Sequence, residues 1–133
     1  MRFDDKYFSD FNFTKEQIRK NYDNALKDLK IAIEDKIIEV KFTYTYSAFV
    51  KGGITLLSFY NKKVKSMPGH HVKIIEVMAD ALKDQNIEII GSAMRSKRNT
   101  DFYDGGIEVT QKETAEYLEF TDNILHKIKK IIF

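Results

Sequence analysis

The chain has 133 residues, with 22 Lys and Arg against 20 Asp and Glu for a formal charge of +2, so any surface that meets phosphates must be a local patch. It has no cysteine, which excludes disulfides and thiolate metal sites and fits a cytoplasmic setting. Hydrophobic residues make up 43% of it, enough for one core, and no apolar run reaches the roughly 20 residues that span a bilayer, so a single soluble domain over residues 1–133 with no membrane partner is expected.

The N-terminal arm carries Phe3, Tyr7, Phe8, Phe11 and Phe13. It has acids where a signal peptide would want bases, and it is too rich in rings for a free tail, so it should fold back over the body of the protein or across a subunit boundary. Thr14 then opens a first helix: the run Thr14-Lys15-Glu16-Gln17 is a capping box, in which hydroxyl and amide satisfy two backbone N–H groups that the first turn leaves unpaired. Ile18, Tyr22, Ala25, Leu29 and Ile33 follow at helical spacing as one apolar stripe.

Residues 40–47, VKFTYTYS, alternate apolar and polar and by themselves resemble a strand. A strand needs a partner, and the chain offers none, whereas Phe42, Tyr46, Phe49, Gly53, Leu56 and Tyr60 keep a helical period. A second helix is therefore expected here. Gly52 and Gly53 would each cost it about 1 kcal/mol relative to Ala, a cost best explained by a neighbouring helix that approaches closely. Residues 61–69 hold the only proline and are expected as a connector.

A third helix is expected from His70, with Val72, Ile75, Met78, Ala79 and Leu82 inward, and a fourth from Ile87 to about Asp104, where Gly105 and Gly106 supply a left-handed stop. The last begins at a second capping box, Thr110 to Glu113, and repeats Ala115, Leu118, Thr121, Leu125, Ile128 and Ile132. Its final turns carry His126, Lys127, Lys129 and Lys130, cations suited to the negative end of a helix dipole. Four or five helices on short loops, without a strand pair, make an all-α, antiparallel up-and-down bundle.

Two polar groups stand out. In RSKRNTDFYDGG, residues 95–106, a helix puts Arg95 and Arg98 on neighbouring turns, does the same for Asn99 and Tyr103, and sets Asp101 three residues after Arg98. Forked guanidinium donors suit phosphate, and amide and phenol add orientable hydrogen bonds, so the group can hold a nucleotide or an RNA backbone. The structural alternative is an ion pair of Arg98 with Asp101 at a solvated helix end, with Tyr103 packed as a cap. The second group is Gly69-His70-His71 at a helix start, where imidazoles can do acid–base work or meet an anion. Neighbouring histidines on a helix diverge, His126 is remote, and no Asp or Glu stands at ligand spacing, so no metal and no cofactor are expected. Nucleophilic catalysis lacks both a cysteine and a serine elbow.

The order of YDNALKDLKIAIED, FTYTYSAFVKGGITLLSFYNKKVKS, PGHHVKIIEVMADAL, MRSKRNTDFYDGG and VTQKETAEYLEF resembles the HEPN superfamily (higher eukaryotes and prokaryotes nucleotide-binding) over roughly residues 20–130. The resemblance implies a helical bundle, usually a homodimer. Many such proteins are metal-independent ribonuclease toxins of toxin–antitoxin or defence systems, using an Arg followed by four to six residues and then a His. Others accompany a minimal nucleotidyltransferase partner protein. Arg98 matches the Arg, but Tyr103 stands where the His belongs. With a pKa of about 10, tyrosine is a poor general base, so RNA or nucleotide binding, or partner binding, is expected ahead of cleavage. His70 or His71 would substitute for the missing imidazole if the third helix began against the end of the fourth. The resemblance also makes Tyr103 a candidate acceptor for nucleotidylation by such a partner.

Overall fold

The computed structural model describes residues 1–103, 106 and 108–133, leaving aside the side chains at 101–103. Five helices run as α1 (Lys15–Glu34), α2 (Ile38–Phe59), α3 (His70–Leu82), α4 (Asn86–Tyr103) and α5 (Gln111–Ile132). The all-α bundle is as the periodicity requires, with one correction. A pair of three-residue strands, β1 (Phe8–Asp10) and β2 (Lys62–Val64), lies antiparallel with Phe8 opposite Val64. The arm therefore does fold back, and part of the expected connector is the strand that receives it. Phe8 is buried, and Lys65 N–H donates to the Tyr7 carbonyl at 2.7 Å, so ring burial and backbone pairing reinforce each other in a segment too short to show a period of its own.

Both capping boxes form as expected, at Thr14 with Gln17 and at Thr110 with Glu113. The joint between α1 and α2 has a device that the periodicity does not announce: Lys41 Nζ donates to the carbonyls of Ala32, Ile33 and Asp35 at 2.7, 3.1 and 3.0 Å. A cation thereby meets carbonyls that the end of α1 leaves without intrahelical donors.

The central rod is α2, with Phe42, Tyr46, Phe49, Leu56 and Leu57 all inside. Its two glycines act as expected. A Cβ on Gly52 would stand 2.7 Å from Leu125 Cδ2 of α5, and one on Gly53 would stand 2.7 Å from Met78 Sδ of α3 and closer still to Ile74 Cγ2. A third contact of this kind is Gly91 of α4, whose Cβ would lie 2.9 Å from Phe49 Cζ and 3.0 Å from Ile75 Cγ2. The apolar stripes differ in detail from the spacing. Ile33, Val72 and Ala115 face outward while Ala32, Ile74 and Thr114 are buried, because the way each helix is rotated against its neighbours, and not side-chain size, sets which residues face the core.

Candidate functional site

Two buried stripes end in polar side chains, and those ends meet beside a tyrosine within a third. On α2, Phe42 and Phe49 flank Tyr46 on the inward face. On α3, Met78, Ile75 and Ile74 lead back to His71 at the first turn. On α4, Ile87, Gly91 and Met94 are buried at spacings of four and three, and the next member of that row is Arg98. Since α3 and α4 are joined by a short turn and run antiparallel, the start of one lies beside the end of the other. Gly91 removes the Cβ that would hold them apart.

Tyr46 Oη and His71 Nδ1 are hydrogen-bonded at 2.9 Å. The guanidinium carbon of Arg98 lies 5.6 Å from the centre of the Tyr46 ring, within cation–π range. The His70 and His71 rings touch edge to face, 4.4 Å between centroids, so the neighbouring imidazoles share one site where simple helical geometry would have them diverge. The cause is local. His70 is the first residue of α3, and its Nδ1 donates to the Met67 carbonyl at 2.6 Å, which turns the ring toward its neighbour. A carbonyl can only accept, so in the neutral ring the Nε2 lone pair of His70 is left for another partner.

The electrostatics follow from burial. Desolvation, with the positive charges of His70, Arg98 and Arg95 adding to it, lowers the His71 pKa from 6.5 to about 4, so the ring is neutral at physiological pH. Tyr46 is pushed up to about 12 by burial, against the opposing pull of Arg98 and Arg95. Its phenol therefore stays protonated.

A cleft of about 320 Å3 opens over this group, lined by residues 66–71 together with Arg95, Arg98 and Asn99. Among the described residues no carboxylate lines it. Gly69, which caps α3 from the left-handed region at φ 84°, brings the helix start to the cleft, and no side chain caps that start. A larger depression of about 560 Å3, lined in part by Arg2, Lys73, Glu76, Asp80 and Glu88, lies elsewhere and mixes both signs of charge, as a solvated groove does.

The structure thus brings together Arg95, Arg98, Asn99, His70 and His71 from the candidates named by sequence. The side chains of Asp101 and Tyr103, and with them the Arg98–Asp101 pair, lie outside the described residues, as does Gly105 of the expected helix stop. Lys97 is turned away, pairing with Glu113 at 3.2 Å and donating to the Glu108 carbonyl. His126 is tied to the Asp122 carbonyl of its own helix, and among the described residues no three His, Cys, Asp or Glu gather as metal ligands. Nothing in the sequence around Tyr46 sets its phenol apart from an ordinary core ring, and only the fold brings it to His71 and Arg98. The usable signal was an Arg and a His standing in rows otherwise filled by buried apolar residues.

No family model, curated protein or solved structure matches the chain. Two guanidinium forks, an amide and a helix start without a side-chain cap, with no carboxylate among the described lining residues, are groups whose chemistry suits a phosphate or phosphodiester. None of the described helices is long and apolar enough to cross a membrane.

Proposed function

We propose that the protein is a HEPN-like RNA-binding component, of the kind found in toxin–antitoxin or defence systems, that holds a backbone phosphate of RNA in the cleft between the start of α3 and the end of α4. The observation that carries this is the convergence of Arg95, Arg98, Asn99 and His70 around one cleft whose described lining lacks a negative charge. Half-buried cations such as Arg95 and Arg98 repel one another, and an anion relieves that repulsion. Arg98 lies over Tyr46, which fixes the fork before a ligand arrives and reduces the ordering cost of binding.

Affinity for a labelled RNA hexamer, measured by fluorescence anisotropy across a salt series, tests the proposal. For single strands the log–log salt slope is about −0.7 per phosphate contact, so two guanidinium contacts give about −1.4. Arg98→Ala should weaken binding and move the slope toward about −0.7, while the circular dichroism spectrum and melting curve show that the bundle survives. Equal binding by the parent and by both Arg95→Ala and Arg98→Ala overturns it. The homodimer and a nucleotidyltransferase partner belong to the same proposal: sizing at increasing protein concentration and co-purification check each.

One observation favours a second reading, metal-independent cleavage. In its neutral form His70 keeps Nε2 as an acceptor in the cleft that Arg98 also lines, so it could take the 2′-hydroxyl proton while O2′ attacks phosphorus. A 2′,3′-cyclic phosphate would form as the bond to the 5′-oxygen breaks, and that oxygen needs a proton. His71, neutral at physiological pH, and Tyr46, with its raised pKa, are both poor donors, and the Tyr103 side chain lies outside the description. The described groups thus supply a base and a phosphate clamp but no good acid, which is why binding is ranked ahead of turnover. Cyclic-phosphate ends on incubated RNA, lost in His70→Gln, would reverse that order.

A further inference from the structure

A second groove of about 370 Å3 shares Arg98 and His71 with the first cleft as lining residues. A ligand held at the guanidinium therefore borders both. The chemistry of the two differs. The first cleft is cationic, whereas the second is walled by Tyr44, Tyr46, Val50 and Ile54 and edged by Ser47 and Lys51.

That edge is built. Asp28 of α1 is only 5% exposed, and its Oδ2 accepts from Ser47 Oγ at 2.6 Å while pairing with Lys51 Nζ at 2.8 Å. A buried carboxylate is tolerated only with such partners, and here it immobilises two lining side chains at once. With its proton committed to Asp28, the Ser47 hydroxyl can only accept from a ligand. The Lys51 ammonium has three protons and retains donors. Four residues apart on α2, the two present an acceptor and a donor one turn from each other.

We infer that this groove is a nucleobase subsite, in which the base of the nucleotide bound at Arg98 lies against Tyr44 and offers a keto edge to Lys51 and Ser47. The inference rests on the phosphate-binding reading of the first cleft. Uracil, through O4 and N3–H, and guanine, through O6 and N1–H, set an acceptor beside a donor and so complement Lys51 and Ser47. Cytosine and adenine reverse the order, placing an amino group toward the ammonium and a lone pair toward the Ser47 oxygen. An aromatic wall beside a cationic track is the usual construction for holding single-stranded nucleic acid.

Hexamers of ribose phosphate that are abasic throughout, or carry one central U, C, G or A, separate the two ideas in an anisotropy titration. The U and G hexamers should bind about tenfold tighter than the fully abasic one, the scale of one base on one aromatic ring, and tighter than those with C or A. Tyr44→Ala should remove the advantage and Tyr44→Phe should keep it. If all five hexamers bind alike and remain sensitive to Arg98→Ala, the base subsite is refuted and the phosphate cleft stands. If the abasic hexamer fails to bind at all, the phosphate reading falls. Because the decisive change is made in the ligand, a variant that unfolds does not obscure the result.

Discussion

The neutral state of His71 makes a quantitative prediction. Its folded pKa of about 4 lies below the ordinary 6.5, so between those values the unfolded chain binds a proton that the folded chain refuses. The stability that this imidazole permits is therefore complete above pH 6.5 and is lost as pH falls toward 4. At 1.36 kcal/mol per unit, the loss between pH 7.5 and pH 5 comes to about 2 kcal/mol, an upper figure because part of the ring meets water. Besides burial, three positive groups press on it from two elements, His70 of α3 and Arg98 and Arg95 of α4, while Tyr46 of α2 is hydrogen-bonded to it. Urea unfolding at the two pH values should lose up to about 1 M of midpoint in the parent, given a slope near 2 kcal/mol per M. His71→Gln, which can still bond Tyr46, should lose clearly less. The Hε1 proton of His71 should not titrate above pH 5 by NMR. A His71 pKa at or above 6.5, or an unchanged pH loss in the variant, would refute the account of the cleft as a crowded positive site. Ligand binding should push the pKa upward, because an anion favours the imidazolium.

Gly53→Ala tests the α2–α3 seam. An alanine gains about 1 kcal/mol of helix propensity, but its Cβ would meet Met78 Sδ at 2.7 Å and Ile74 Cγ2 nearer still, and overpacking of this kind costs about 1–3 kcal/mol. A lower melting temperature is expected, and a higher one would mean that the seam relaxes freely. Asp28→Ala leaves Ser47 and Lys51 without their shared acceptor. Lys51 is exposed enough to rehydrate, so a loss of about 1–3 kcal/mol in urea unfolding is expected, below the range for a fully buried pair. Among the described residues, the one buried side-chain oxygen without a hydrogen-bond partner is Thr121 Oγ1. Thr121→Val keeps the shape and removes the orphan, and calorimetry should show a gain of about 1 kcal/mol.

Much of the fold was written locally. Thr14 and Thr110 each sit three residues before the side chain that completes the capping box, and the stripes on α1, α3 and α5 repeat every three to four residues, so both signals lie within a turn or two of chain. Gly52 and Gly53 foretold close helix contact because a glycine pair in a helix needs a reason. The short strands escaped notice because β1 and β2 are each three residues long and more than fifty residues apart, and neither has enough length for a period to register.

The site shows the same division. Sequence named Arg95, Arg98, Asn99, His70 and His71 as chemically capable, since residue type alone fixes what a guanidinium or imidazole can donate or accept. That they face one cleft, with Tyr46 beneath them and Asp28 bracing a second groove, depends on the α3–α4 turn, on Gly91 admitting Phe49 and Ile75, and on how α1 crosses α2. Those contacts join residues far apart in the chain, and their geometry comes from side-chain packing over the whole core, which no local pattern encodes.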